Sequence, residues 1–367
     1  MSSAPRTSSP SCARWTDPQH RGRAGLTGLR ALIPMAVLLL AGCTTAPQTH
    51  LLRQGPPRDL PTAVELEQIP FHPQERYQCG PAALATVLQA RGRTADPGTL
   101  RGEIYVPGRR GSLQAEIRAA VRARGLVPYP LPPRLEALLA EVAAGEPVLV
   151  LQNLGLNILP RWHYAVVVGY DLDRSHILLR SGTRRRHVMS LSTFERTWQR
   201  GGGWGIVIRD PGSPPASAHP LSWLRAALEL EETNHRREAL RAYAAAVSRW
   251  PGETAAWFAL GNAFHALERP TAAVAAYRQL IRRAPATAAA WNNLAHALQT
   301  SGCPQTARQA VGCALMLAPT DPVYRQTRAA LQGTGEAMGP APCPSLPTCP
   351  VPVTGEGDQA PYQSTAK

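Results

Sequence analysis

The sequence predicts two folded parts: an α+β domain with N-terminal helices and an antiparallel sheet, followed by an all-α solenoid of short repeats. Helical apolar patterns over about 79–144 give way to five β-branched runs over about 147–209. Helices followed by consecutive strands imply α+β rather than an alternating α/β fold. Trp223, Trp257 and Trp291 then recur 34 residues apart, as do Pro251, Pro285 and Pro319, and a period in that range marks helix pairs that are covered only by their neighbours. A chain of 367 residues is also too long for one ordinary core.

At the N-terminus a basic stretch ending Gly28-Leu29-Arg30 precedes the apolar run ALIPMAVLLLAGC. About a dozen apolar residues are too few to span a bilayer and suit a secretory leader. Around the expected cut, Leu40-Ala41-Gly42-Cys43 resembles the bacterial lipoprotein cleavage motif. The resemblance implies a signal peptide over 1–43, lipidation of Cys43 through its thiol, and a membrane partner through the lipid. Thr44 after the cysteine, where an acidic residue could stand, implies an outer-membrane anchor facing the periplasm. Residues 44–61, polar and proline-rich, are expected to form a flexible tether.

The first domain is expected over 62–209. Its helices read Cys79–Arg91, Ser112–Arg124 with Ser112 as N-cap, and Pro133–Ala144. Its strands read 147–152, 163–170, 176–180, 187–191 and 204–209, with a short helix in TFERTW before the last. A Pro- and Ser-rich linker, 210–219, leads to three blocks of 34, at 220–253, 254–287 and 288–321. The middle block carries Trp257, Leu260, Gly261, Phe264, Ala273, Tyr277 and Pro285, which resembles the tetratricopeptide repeat. A capping helix completes a repeat region over 220–332, and 333–367, rich in Pro, Gly and Thr, is expected to be disordered.

The net charge of +14 rests on 39 Lys and Arg residues, of which only Lys367 is a lysine. Arginine is scattered, and its two local clusters, at 108–110 and 184–187, are too short to follow a phosphate backbone, so no nucleic-acid partner is expected. Of the seven cysteines, Cys12 lies in the leader and Cys43 takes the lipid, which leaves Cys79, Cys303, Cys313, Cys343 and Cys349. An odd number in an oxidising compartment leaves one thiol over. Helix between Cys303 and Cys313 holds them too far apart to bond, while Cys343 and Cys349 are free to pair within a flexible tail. No spacing suited to a metal or cofactor occurs.

Chemistry is expected around Cys79. Ala83, Leu84, Val87 and Leu88 have helical spacing, and Pro81 fits only a first turn, so Cys79 begins a helix. The helix dipole there favours a thiolate and a lowered thiol pKa. From the residues alone, a buried apolar cysteine and a nucleophile stand as equal alternatives. A nucleophile needs a base, and His163 at the head of a strand can be held in register. His187, His176 and His72 compete with it. The Cys79 backbone N–H and the Gln74 side-chain amide are candidate oxyanion donors.

Taken together, IPFHPQERYQCGPAAL and, 84 residues after the cysteine, WHYAVVVGYD resemble the bacteriocin-processing, double-glycine-leader cysteine peptidases of the papain-like group. The resemblance covers about 62–209. It implies Cys79 as nucleophile, His163 as general base and then acid, and Gln74 as oxyanion donor. Where that family places an Asp after the next strand, this chain reads HILLRSG, so Ser181 stands in the orienting position and Asp171 and Asp173 fall in the preceding turn. The resulting expectation is a membrane-anchored periplasmic cysteine peptidase acting on a peptide or protein, with the repeats binding a protein partner. The alternative is a catalytically weak or inactive peptidase-fold lipoprotein that serves as a scaffold.

Overall fold

The computed structural model describes residues 46–73, 78–332 and 343–350. Cys43 and Gln74, and with them the signal-peptide and oxyanion expectations, lie outside the described residues. The described chain divides into one compact unit running to Glu238 and a second from Ala239.

The first unit is built on a seven-stranded antiparallel sheet. Its strands are β1 (Ala63–Glu65), β4 (Val127–Pro130), β5 (Val148–Asn153), β6 (Trp162–Asp171), β7 (His176–Ser181), β8 (Arg184–Ser190) and β9 (Gly205–Arg209), in the order β4-β9-β5-β6-β7-β8, with β1 paired to the far end of β6. A separate small hairpin joins β2 (Tyr105–Val106) and β3 (Gly111–Ser112). The helices α2 (Cys79–Gln89), α3 (Pro97–Ile104), α4 (Gln114–Arg122) and α5 (Leu135–Ala143) come before β5, and α6 (Leu191–Arg200) before β9. β4 carries Pro128 and Pro130, which lack the N–H a central strand needs, and it accordingly lies at the sheet edge.

Every residue of α2 from Cys79 to Leu88 is buried. The helix packs on the sheet face that presents Leu149, Leu151, Tyr164, Val166 and Val168. The alternate rows, Val148, Val150, Ala165 and Val167, are also fully buried, as expected of strands covered on both faces, and α5 and α6 pack against β5 and β6.

Three expectations are corrected in this unit. The proposed tether contains a docked helix, α1 (Pro47–Gln54). Glu195, 1% exposed, accepts from the N–H groups of Gln48 and Thr49 and from the Thr49 hydroxyl at 2.7–3.0 Å, so a buried carboxylate is satisfied by the first turn of α1. Ser112 is not a cap: it ends β3, and α4 starts after Leu113 without a side-chain cap. The linker and the first repeat helix, α7 (Pro220–Glu232), belong with the sheet. Ser217 N–H donates to Glu141 at 2.6 Å, His219 N–H to the Tyr129 hydroxyl at 3.0 Å, Trp223 lies 6.2 Å from the Tyr129 ring, and Arg122 pairs with Glu229 at 2.8 Å.

Helix α8 (Arg236–Arg249) spans the division at Glu238. The second unit then runs α9 (Thr254–Ala266), α10 (Pro270–Arg283), α11 (Ala288–Thr300), α12 (Pro304–Leu317) and α13 (Pro322–Gln332). The period has a visible cause. The indole N–H of Trp257 donates to Pro251 O at 2.9 Å and that of Trp291 to Pro285 O at 2.8 Å. One period later Arg325 donates to Pro319 O at 2.9 Å. Each donor thus ties the start of a new repeat to the loop that closes the one before. Gly261 sits where a Cβ would come within 2.5 Å of the Tyr277 ring; in the next repeat Ala295 takes the glycine's place and the smaller Val311 the tyrosine's.

The expected Cys343–Cys349 bond is replaced by two others. Cys303 bonds Cys343, with Cα atoms 5.6 Å apart, and Cys313 bonds Cys349 at 5.3 Å. Residues 343–350, expected to be disordered, are therefore crosslinked to α12 and the loop before it, and Leu346 packs on the repeat core. A bond within the tail would fix nothing, whereas pairing with the sulfurs of α12 and of its N-cap places a segment without regular structure of its own.

Candidate active site

Helix α2 begins at Cys79, which is 8% exposed and is the one described cysteine outside a disulfide. Gln78 precedes it as N-cap and makes no side-chain cap, so Cys79 stands at the positive end of the helix dipole. Gly80 is required by its surroundings: a Cβ there would overlap the Ser112 hydroxyl and come within 3.6 Å of the Tyr164 ring. That close approach of Gly80 to Tyr164 brings their chain neighbours, Cys79 and His163, to the same end of the helix–sheet interface.

Tyr164 closes the floor. Its hydroxyl donates to Ser112 O at 3.2 Å, and its ring meets Trp204 edge-on at 5.8 Å. Burial, and then the negative charge available to Cys79, push the phenol pKa well above its usual value, so it stays a neutral donor.

His163, 7% exposed, stands opposite Gln152 near the start of β6. Its Nε2 shares a hydrogen bond of 2.8 Å with the hydroxyl of Ser181, the last residue of β7. Ser181, at the end of the strand that follows the histidine strand, is thus the residue that meets the imidazole. Asp171 lies eight residues further along β6, about 26 Å away at strand rise, and accepts from Arg174 N–H at 2.9 Å.

The competing histidines separate. His72 is hydrogen-bonded to Gln89 at 3.1 Å, at the opposite end of α2 from Cys79. His176 pairs with Asp171 at the far end of the sheet. His187 is closer: burial, then Arg184, then His163 hold its pKa below the usual value, so it is a neutral imidazole within the electrostatic reach of His163.

Arg180, next to Ser181 and 3% exposed, was not anticipated. Its guanidinium donates to the carbonyls of Leu66, Glu67, Ile69 and Arg185 at 2.7–3.3 Å. It pins the strand end that carries Ser181 to the segment leading towards Cys79. A charged residue closing the apolar run HILLR was the available signal.

Residues 66–206 match the Peptidase_C39 like family, and residues 224–285 and 266–319 match the tetratricopeptide repeat. The chain joins a C39-like peptidase domain to tetratricopeptide repeats. Among solved structures, a putative C39-like peptidase from Bacillus anthracis is 21% identical, covers 40% of this chain and 96% of its own, and has a TM-score of 0.34. A double glycine motif protease from an AMS/PCAT transporter, in complex with the leader peptide, is 19% identical over 39% of this chain and 92% of its own, with a TM-score of 0.30. The second tetratricopeptide domain of human RPAP3 is 12% identical over 32% of this chain and 100% of its own, with a TM-score of 0.30. At those identities and scores the neighbours add no argument to the family match. No curated protein matches the sequence. The C39-like domain matches the α+β part and the repeats the helical part.

Proposed function

We propose that this protein is a membrane-anchored periplasmic cysteine peptidase, in which Cys79 attacks a peptide or protein carbonyl and the repeats bind a protein partner. The observation that carries the reading is the 2.8 Å bond between His163 Nε2 and Ser181 inside a domain that matches C39-like peptidases. With Nε2 engaged, Nδ1 is the nitrogen that serves the sulfur, and the working state needs the two within hydrogen-bond reach.

In the reaction, His163 takes the Cys79 proton and the thiolate forms a C–S bond to the carbonyl carbon. The Cys79 N–H and the Gln74 amide donate to the oxyanion. His163 returns its proton to the leaving amine as the C–N bond breaks. Water, deprotonated by the same imidazole, then releases the acid and restores the thiol. A serine hydroxyl accepts from Nε2–H and fixes the tautomer, but as a neutral group it stabilises imidazolium less than a carboxylate does. That observation favours the second reading, a weak or inactive enzyme acting as a scaffold.

The lipoprotein motif at Cys43 supports export, and so do the two disulfides of the repeats, which persist in oxidising compartments and are rare in the cytosol. The test is alkylation and processing together. Native Cys79 should react with iodoacetamide faster than a free thiol at neutral pH. Cys79→Ala should reduce peptide processing in envelope extracts by about a thousandfold or more, and Ser181→Ala by about fivefold. Ordinary thiol reactivity with unchanged processing leaves the scaffold.

A further inference from the structure

The turn between β5 and β6 holds its large apolar side chains out to solvent: Leu156 is 64% exposed, Ile158 90%, Leu159 69% and Trp162 47%. The turn is nevertheless firmly built. Leu156 and Leu159 form a β-bridge, and one oxygen of the Asn153 side chain accepts from the N–H groups of both Gly155 and Arg161 at 2.9 Å. Asn153 itself is 1% exposed, and Arg200, at the end of α6, donates to its carbonyl at 3.2 Å. A braced turn that shows three aliphatic tips to water marks a contact surface rather than a frayed loop. No carboxylate occurs between Glu146 and Asp171, and Arg161 is exposed at the base.

What covers this surface follows from where the chain enters the domain. The side chains of Gln48 in α1 and Gln199 in α6 both donate to Pro133 O at 3.1 Å, and Gln199 precedes Arg200, which braces the turn. The start of α1 and the base of the turn are therefore both tied to α6, the first through Glu195 and Pro133 and the second through Arg200. Cys43 lies five residues before Gln48, at most about 18 Å of extended chain.

We propose that the 154–162 turn inserts into the lipid surface that holds Cys43, with Leu156, Ile158 and Leu159 among the acyl chains and Trp162 and Arg161 at headgroup level. This rests on the anchored reading given above. It brings His163, the residue after Trp162, to the membrane surface, so the site meets peptides that lie at or emerge from the bilayer. The pattern of exposed aliphatics flanked by an indole and a cation, without acids, fits phospholipid headgroups better than it fits a selective peptide groove.

The test uses the full chain in vesicles of phosphatidylethanolamine and phosphatidylglycerol, with an environment-sensitive fluorophore on Ile158→Cys in a Cys79→Ser background. Insertion gives a blue shift and loss of more than half of the emission to acyl-chain doxyl quenchers. Leu156→Ser with Leu159→Ser should lower vesicle binding of the Cys43→Ala chain several-fold. A probe that keeps its aqueous spectrum at saturating lipid overturns the inference, as does a blue shift that needs added apolar peptide and no lipid. Intact mass of Cys43 separates the two readings. Acylation with a water-exposed probe sinks the inserted turn alone, whereas an unacylated Cys43 with a quenched probe sinks the anchor and leaves the turn standing.

Discussion

In the peptidase unit the described cysteine is an unoxidised thiol at a helix start, whereas in the repeat unit all four described cysteines are joined in two crosslinks. Cys79, Cys303 and Cys313 are all buried, while Cys343 is exposed and Cys349 half-buried, so burial does not distinguish Cys79 from the repeat cysteines of α12 and the loop before it. Geometry does: Cys303 and Cys313 each have a tail cysteine brought within disulfide range, while Cys79 faces a tyrosine floor and the strand of His163. One chain thus leaves one described sulfur outside any disulfide and uses the others to hold a segment that has no helix or strand of its own.

Reduction should break the comparison most visibly. Each crosslink closes a loop, of 40 and 36 residues, and the chain-entropy account gives about 4 kcal/mol for the first one formed, with less for the second because the loops overlap. Dithiothreitol, or Cys303→Ser with Cys313→Ser, is expected to lower the melting temperature of the repeat unit and expose 343–350 to proteases. The melting of the peptidase unit should not move, and equal shifts in both units would refute the division of labour. A smaller effect, about 1–3 kcal/mol, is expected for Gly261→Ala, since the added methyl meets the Tyr277 ring at 2.5 Å. Denaturant unfolding of the repeat unit reads it directly, and Tyr277→Val in the same chain should relieve it, because Val311 already stands opposite Ala295 one repeat on.

The smallest effect is shared by the two units and so sharpens the contrast elsewhere. His187 and His296 are both held below the usual imidazole pKa of 6.5, by burial first; Arg184 and His163 add to it at His187, and His265 at His296. The unfolded chain therefore binds these protons before the folded chain does. Their contribution to stability is complete above about pH 6.5 and is lost as pH falls towards the lowered values. Melting temperatures of both units should drop together between about pH 7 and 5, and His187→Gln should flatten the curve of the peptidase unit only.

Much of this was legible in the sequence. The strands of the sheet's centre and the 34-residue register were readable because each is a long pattern set by burial: continuous β-branched runs where both faces are covered, and a Trp–Pro pair that recurs because one donates to the loop of the other. Ser181 was readable because a hairpin of known turn returns it past His163. The short elements were not. PQTHLLRQ has too few turns to be stable alone and becomes α1 only because Glu195, some 147 residues later, collects its first N–H groups. VPYP reads as loop until its edge position is known. Nor could the sulfur pairing be read, because four cysteines allow three connectivities and spacing does not choose among them. The family of Arg180 bonds escaped for a similar reason: its four carbonyl partners lie up to 114 residues away.

The crosslinked tail gives this molecule a memory of where it was made. In a reducing compartment it would carry the same Cys79 thiol and the same sheet, but residues 343–350 would lose both covalent ties to the repeats. In an oxidising compartment they would be sewn down. Preparations with identical sequence could then differ in which surface of the repeats lies uncovered.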